Sequence, residues 1–304
     1  MRRMVTFAIV SGLVACAITA ASAEEAGTQA RFKNPTAAVQ ALVAGARAND
    51  RAKLLAILGP EGEPLVSSGD DVEDAAERRR FVTMASQGTR FETLSDGKVI
   101  AHLGSRGTPF AIPLVKDGNE WRFDTAAGKD ELLSRRIGHN ELSVIAALRA
   151  YVDAQQQYAR LDPGGVFAQK IRSEPGKHDG LYWESTGESD ESPLGPLFAE
   201  AAGEGYAVNE PSATPQPFHG YFFRILTAQG PNAPDGARDY VKDGKMTGGF
   251  AMVAWPAEYG QSGIMTFLVN QQGIVFEKDL GAQTAEIVKA MTTYDPDKTW
   301  APAR

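Results

Sequence analysis

One long amphipathic helix constrains what this chain can fold into more than any other stretch. Residues 139–162 carry the longest clean helical pattern in the sequence, with apolar side chains in two adjacent rows at three- and four-residue spacing. The first row is Leu142, Ile145, Leu148, Val152 and Ala159, and the second is Val144, Ala147, Tyr151, Ala154 and Tyr158. Because two rows make a wider face than a coiled-coil seam, the helix is predicted to lie across a sheet or between two layers.

The residues that flank this helix predict its boundaries. Gly138 is expected to end a short preceding helix over residues 129–137, and Asn140 followed by Glu141 has the form of a start signal. The chain has 304 residues, which is enough for two domains of roughly 100–150 residues each. We therefore predict a first domain over residues 35–137 and a second over residues 138–304.

The first 23 residues have the form of a signal peptide. Arg2 and Arg3 supply the positive start, residues 5–20 are largely apolar, and the Ala-Ser-Ala of residues 21–23 is a small-x-small cleavage signal. The apolar stretch is too short, and too rich in Ala and Gly, for a membrane span of about 20 residues. The mature chain, without a transmembrane segment, is expected to be periplasmic or secreted and to begin with a flexible lead-in over residues 24–34.

Cys16 offers an alternative route to the cell envelope. The Leu-Val-Ala-Cys of residues 13–16 resembles a bacterial lipobox, so the protein would be lipid-anchored through Cys16 if that signal were used. The apolar residues that follow the cysteine favour ordinary cleavage instead. Because Cys16 is the single cysteine, neither route leaves a disulfide within the mature chain.

Element patterns predict an α+β fold in both domains. In the first, helices over residues 35–46, 51–58 and 74–85 precede a meander of antiparallel strands over 90–94, 98–103, 110–115 and 120–124. In the second, the long helix is followed by an irregular region over 163–218 that contains one helix, 194–202. Its aromatic residues indicate that it packs on the second domain. Four strands, 220–227, 248–255, 263–270 and 273–279, and a closing helix, 284–291, complete the chain.

Three resemblances bear on the fold. The order of elements in the first domain and the closing Trp-Arg-Phe-Asp of residues 121–124 are similar to the NTF2-like fold. In the second domain, Asn140-Glu141, the long helix, the Gly-Tyr-Phe-Phe of 220–223 and the Gly-Ile-Val-Phe of 273–276 are similar to the globular part of type IV pilins and pseudopilins. That resemblance implies a long helix packed on a four-stranded antiparallel sheet. The half of a pilin helix that enters the membrane is missing, which argues against assembly into a pilus.

The third resemblance covers nearly all of the mature chain. Its motifs are RRIGHNEL at 135–142, DGLYW at 179–183, SPLGP at 192–196, HGY at 219–221, GFAMVAWP at 249–256 and KDLG at 278–281. Together they resemble the secreted bacterial family catalogued as domain of unknown function 2950. The resemblance implies export and a shared fold, but it brings no established activity and no catalytic residue.

The sequence lacks the common signatures of catalysis and of nucleic-acid binding. The net charge of −7 and the pI near 5.3 argue against a nucleic-acid partner. The four histidines, His102, His139, His178 and His219, form no helical metal pair, and there is no Gly-x-Ser-x-Gly or phosphate-binding loop. Acidic residues at 235, 239 and 243 lack the closing Glu of a calcium loop, and turns around a hairpin explain them better. No catalytic residue, metal or cofactor is predicted.

One group of residues is the best candidate for ligand binding. Arg135 and Arg136 lie side by side between two predicted helices, where they either clamp the domain junction or bind an anionic or polar ligand. Aromatic residues at 182, 183, 221 and 255 either belong to the core or line a groove for a peptide or glycan. The predicted ligand-binding residues are Arg135, Arg136, Asn140, Glu141, Asp179, Tyr182, Trp183, His219 and Tyr221.

These patterns favour a cell-envelope protein of unknown activity that acts as a non-catalytic binding or assembly module for an envelope protein, peptide or glycan. Two alternatives stay open, an envelope hydrolase with its site at the domain junction and a small-ligand pocket in the NTF2-like first domain. Convergence of Arg135, Arg136, Glu141 and a histidine or carboxylate on an open pocket would favour the hydrolase. Arginines bound in buried ion pairs, with no polar cleft beside them, would favour the module.

Overall fold

The predicted α+β class is confirmed by a computed structural model, which describes residues 29–187, 190–208 and 215–303. The predicted signal peptide, Cys16 and the first part of the lead-in lie outside the described residues. Residues 29–34 depart from the predicted flexible lead-in, because they are tied to the first sheet. Phe32 forms a β-bridge with Trp121, and the Gln29 amide donates to the carbonyls of Ile57 and Phe123.

The first part of the chain consists of four helices followed by a small sheet. The helices are α1 (Pro35–Arg47), α2 (Arg51–Leu58), α3 (Glu63–Val66) and α4 (Asp71–Ser86), with a 3-10 turn at Pro60–Gly62. Side-chain oxygens of Asn34, Asp50 and Asp70 cap α1, α2 and α4 by accepting from backbone N–H groups. The strands are β1 (Thr89–Thr93), β2 (Val99–Leu103), β3 (Thr108–Pro109), β4 (Leu114–Asp117) and β5 (Glu120–Phe123), and all their pairings are antiparallel.

A single helix, α5 (Thr125–Leu161), replaces the two helices predicted from the sequence. Gly138 does not end a helix, and Asn140 does not begin one, because both lie in the interior of these 37 residues. Leu142 was predicted to be apolar core but is 65% exposed, whereas the row that begins at Val144 is buried through Ala154. The predicted domain boundary between residues 137 and 138 therefore falls inside a continuous helix.

The C-terminal half of α5 packs on the second sheet, as its two apolar rows predict. The strands are β6 (Tyr221–Leu226), β11 (Ala251–Pro256), β12 (Met265–Asn270), β13 (Phe276–Asp279) and β14 (Ala301–Pro302), in the antiparallel order β14-β13-β12-β11-β6. The fifth strand, β14, comes from the Pro-rich tail and was not predicted. Two short hairpins, β7 (Ala228–Gln229) with β8 (Arg238–Asp239) and β9 (Val241–Lys242) with β10 (Lys245–Met246), precede β11.

The irregular region after α5 contributes to this second core rather than linking two bodies. Ala168, Leu181 and Leu194 are buried in the same cluster as Tyr151 and Phe267. The region contains helix α6 (Gly195–Glu204), and α7 (Thr284–Ala290) follows β13. A separate cluster, which includes Leu42, Leu54, Ile112 and Phe123, forms the core of the first part of the chain. In the described part of the chain, every helix is too short or too polar to cross a membrane.

Candidate functional site

A large cavity lies in the first part of the chain, beneath α4. Its volume is about 880 Å³, within the range of about 300–1,000 Å³ that is usual for small-molecule sites. Helices α1 to α5 and strand β2 all contribute to its walls. Its apolar lining includes Leu42, Leu54, Leu58, Phe81, Leu103, Phe110, Ile112 and Leu132.

The cavity exists because α4 does not close over the first core. The fully buried side chains of α4 are both acidic, Glu73 and Asp74, and none of its apolar side chains is fully buried. Phe81 is only half-buried, and Met84 is 37% exposed. An α4 that buried a complete apolar stripe would fill the space that these residues leave open.

The face of α4 that lines the cavity changes from charged to apolar along the helix. Asp74, Glu77, Arg78 and Phe81 recur at three- and four-residue spacing, so they lie on one side of the helix. At the apolar end, the ring of Phe81 packs against Phe110 with a centroid distance of 5.5 Å. The cavity therefore has a polar end near the start of α4 and its aromatic contact farther along, although Arg79, Arg80 and Thr83 place further polar side chains beside Phe81.

Arg136 holds the polar end together. Its guanidinium donates twice to Glu77 Oε2, at 3.0 and 2.8 Å, and to the carbonyl oxygens of Pro64 and Leu65, both at 2.7 Å. The Arg136 side chain is 5% exposed. Arg135 is different, because it pairs with Glu131 one turn earlier and both side chains are about half-exposed. Of the two predicted arginines, Arg136 is therefore bound in a buried ion pair and Arg135 lies at the surface, although both line the cavity.

Two buried polar atoms at this end have no hydrogen-bond partner among the described residues. They are Asp74 Oδ1 and Arg78 Nε. The other oxygen of Asp74 accepts from the Ser68 N–H at 3.0 Å, and Arg78 Nη1 donates to the Val66 carbonyl at 2.8 Å. Burial raises the pKa of the Asp74 carboxyl, against the opposing effects of Ser68 and of the nearby Arg136 and Arg78.

A second polar cluster joins α4 to the second core. Asp70 Oδ2 accepts from the Tyr206 hydroxyl at 2.9 Å and from the Gly220 N–H at 2.8 Å, while its Oδ1 caps α4. Residues 219 and 220 both have positive φ, which turns the chain so that the Gly220 N–H meets Asp70. Glycine is required here, since a Cβ would lie 2.7 Å from Asn140 Nδ2.

His219 lies between two carboxylates in this cluster. Its Nδ1 is 3.5 Å from Glu73 Oε2 and its Nε2 is 3.5 Å from Glu204 Oε2, which makes these contacts ion pairs rather than close hydrogen bonds. Burial alone would lower the pKa of His219, but Glu73, Glu204 and Asp70 raise it. Burial would likewise raise the pKa of Glu73, but His219 and Arg80 outweigh it and lower the value to about 2.

Three of the predicted ligand-binding residues fix α5 to the second sheet. Glu141 Oε1 accepts from the backbone N–H groups of Ile264 and Met265, at 3.0 and 2.9 Å. The Asn140 Nδ2 donates to the Ser262 carbonyl at 2.9 Å, and Asn140 has no exposed surface. Tyr221 is also fully buried, and its hydroxyl donates to the Met265 carbonyl and lies 3.4 Å from Glu141 Oε1. The structure therefore places Tyr221 in the core and not in a surface groove.

The remaining predicted residues lie near the other end of α5. Trp183 stacks on His178 at 4.2 Å, and the His178 carbonyl accepts from the Tyr158 hydroxyl. Tyr182 stacks on Phe198 at 3.9 Å, and Asp179 binds Lys170 at 2.8 Å. The 22 residues of helix between Arg136 and Tyr158 rise about 33 Å. The structure therefore does not bring Asp179, Tyr182 and Trp183 to the arginines, and their assignment as ligand contacts stays a prediction.

Sequence patterns did not reveal the residues that shape the cavity and the junction. Asp70 was assigned to a turn and Asp74 to a helix, Tyr206 was expected only to pack on the second domain, and Glu73 and Glu204 were given no role. The one available signal was the dense acidic run over residues 70–74, which is unusual for the buried face of a helix. Among the described residues, no cluster of three or more His, Cys, Asp or Glu side chains could hold a metal ion.

Together, the fold and the cavity define an α+β protein with an open, mostly apolar cavity in the first part of the chain. The chain belongs to the family described as "Protein of unknown function (DUF2950)", whose model matches residues 29–303. That result confirms the resemblance found in the motifs. No curated protein and no solved structure matches the chain, so the NTF2-like and pilin-like resemblances stay predictions.

Proposed function

We propose that this chain is an exported, non-catalytic binding module that holds a lipophilic small molecule in the cavity beneath α4. The observation that carries the proposal is the cavity itself, about 880 Å³ of mostly apolar space under a helix that buries no apolar residue completely. An apolar molecule that enters it removes its own surface and that of Phe81 and Phe110 from water. Such burial stabilises a complex by about 25 cal/mol per Å² before the costs of association.

This function corresponds to the small-pocket alternative that the NTF2-like element order suggested, and it keeps the broader hypothesis of a binding module. Export rests on the signal peptide predicted over residues 1–23. The intact mass of the mature protein tests it, since cleavage after Ala23 and acylation at Cys16 give different masses. A hydrolase at the junction is less favoured, because a catalytic base must reach its substrate and His219 is 8% exposed.

Binding can be tested with N-phenyl-1-naphthylamine, an uncharged probe that fluoresces in apolar surroundings. The purified chain should bind it saturably at one site. Ala76 lines the cavity, whereas the preceding residue of α4, Ala75, does not. Ala76→Phe should therefore weaken binding at least tenfold by filling the cavity, and Ala75→Phe should leave it within about twofold. Circular dichroism melts of both variants establish that they fold. Equal binding by the two variants, or no saturable binding at all, would contradict the proposal.

A further inference from the structure

The side chains around the cavity carry more positive than negative charge, although the chain as a whole is acidic. Its lining includes five arginines, which are Arg78, Arg79, Arg80, Arg135 and Arg136. The two acidic residues of the lining are Glu77, which is bound by Arg136, and Asp74, which is 3% exposed. The charge that a ligand meets there is therefore mainly positive, which favours an anion over a cation.

Three of these arginines are held by contacts with buried groups. Arg136 is bound by Glu77 and by two carbonyl oxygens. Arg80 donates to Glu73 at 2.6 Å, and the Glu73 side chain is 5% exposed. Arg78 is half-buried, and its Nη1 donates to the carbonyl of the buried Val66. Moving any of the three to a ligand would break a contact that contributes to the fold.

Arg135 is free of such a constraint. Its side chain is half-exposed, and its ion pair is with Glu131, which is 57% exposed. Because an exposed i, i+4 pair contributes little to stability, an anionic ligand can replace Glu131 at low cost. Leu132 lies three residues earlier on the same face of α5, lines the cavity and packs on the first hydrophobic core. An exposed cation thus lies next to the start of the apolar lining.

We propose that the ligand is a lipophilic carboxylate, with its carboxylate bound by Arg135 and its apolar chain along Leu132 into the cavity. This inference rests on the proposed function. A guanidinium matches a carboxylate through two parallel hydrogen bonds, while the apolar chain is removed from water. The two adjacent arginines then have different roles, since Arg136 fixes α5 to α3 and α4 and Arg135 binds the anion.

The preference for an anion can be tested by displacing N-phenyl-1-naphthylamine with decanoate, decyltrimethylammonium and 1-decanol. These compounds have chains of matched length and carry a negative charge, a positive charge and no charge, and each is used below the concentration at which it forms micelles. Decanoate should displace the probe at a concentration about tenfold lower than decyltrimethylammonium does. If overall charge decided the outcome, the net charge of −7 would favour the cation instead.

Single variants assign the preference to Arg135. Arg135→Gln should weaken decanoate about fivefold and leave 1-decanol within about twofold, and Arg135→Lys should weaken decanoate less. Glu131→Gln removes the competing carboxylate, so decanoate should bind about twofold more tightly. Arg149→Gln is the matched control, because Arg149 is exposed on the same helix but does not line the cavity. It should leave all three compounds unchanged.

The outcomes separate the two proposals. If the probe binds but decanoate competes no better than the cation, the anion site is wrong while the cavity function stands. The same holds if Arg135→Gln leaves the ratio of decanoate to 1-decanol unchanged. Arg79 is exposed and lines the cavity from α4, so loss of decanoate binding in Arg79→Gln alone would also overturn the assignment to Arg135. Failure of the probe itself to bind would overturn the proposed function.

Discussion

At the scale of single residues, neighbouring arginines have opposite environments. Arg136 is 5% exposed and makes four hydrogen bonds, whereas Arg135 is half-exposed and has one i, i+4 pair. Removing one partner of a buried pair costs about 3–5 kcal/mol, while an exposed helical pair contributes about 0.3–0.5 kcal/mol. We expect Arg136→Ala to lower the free energy of unfolding by about 3 kcal/mol and Arg135→Ala by less than 0.5 kcal/mol.

Urea titration followed by circular dichroism measures both values, and Arg135→Ala is the matched control. Similar small losses in the two variants would show that the Arg136 pair does not stabilise the fold.

The sequence identified the two arginines as unusual but could not show that only one of them is buried. Helical periodicity alone does not show that Glu77 and the carbonyls of α3 lie opposite one of them. The burial of Asp74 could not be predicted from the sequence either, because the burial of an acidic residue depends on elements distant in sequence.

At the scale of elements, α5 shows where local signals fail. Gly138 predicts a helix end because glycine is common just after the last residue of a helix, and in a helix interior it costs about 1 kcal/mol relative to alanine. Contacts on both sides outweigh that cost: Arg136 is bound to α3 and α4, and Asn140 and Glu141 to the second sheet. The strongly periodic part of the helix and its packing on the later strands were predicted correctly, because a wide apolar face has few other ways to be buried.

The glycines of α5 provide a matched test of this view. Gly138 is exposed, and a Cβ there would meet nothing within 4 Å. Gly138→Ala should therefore stabilise the protein by about 0.5–1 kcal/mol. Gly128 lies in the same helix, but a Cβ there would lie 2.3 Å from the Ala111 carbonyl oxygen, so Gly128→Ala should destabilise it. Thermal unfolding measures both. A destabilised Gly138→Ala would indicate that α5 bends or opens at that position.

At the scale of the whole molecule, two hydrophobic cores are connected by α5 and by the junction of Asp70, Glu73, Glu204, Tyr206 and His219. The α+β class and the family could be predicted from element order and motifs. The junction could not, because it joins residues up to 150 positions apart that carry no common pattern. The cavity was anticipated only as one of three hypotheses, since its existence depends on how incompletely α4 packs.

The junction predicts how stability depends on pH. The groups that face His219 are Glu73, Glu204 and Asp70, together with the rings of Tyr206, Phe218 and His139. Folding raises the pKa of His219. The contribution of this residue to the free energy of unfolding is therefore complete below about pH 6.5 and is lost as the pH rises through the pKa of the folded state. Folding lowers the pKa of Glu73 to about 2. The contribution of Glu73 to the free energy of unfolding is therefore present above about pH 4.5 and is lost as the pH falls toward 2.

The free energy of unfolding should therefore be greatest between about pH 4.5 and 6.5 for this cluster and should fall on either side. His219→Gln keeps a side chain that can hydrogen-bond but removes the charge, so the fall above pH 6.5 should be smaller in this variant than in the wild type. His102→Gln is the control, because the His102 contact with Glu92 is at the surface and the Glu92 side chain is 59% exposed. If urea titrations from pH 5 to 8.5 give parallel profiles for the wild type and His219→Gln, protonated His219 does not hold the two cores together. In that case the hydrogen bonds of Asp70 to Gly220 and Tyr206 are left as the main contacts between α4 and the second core.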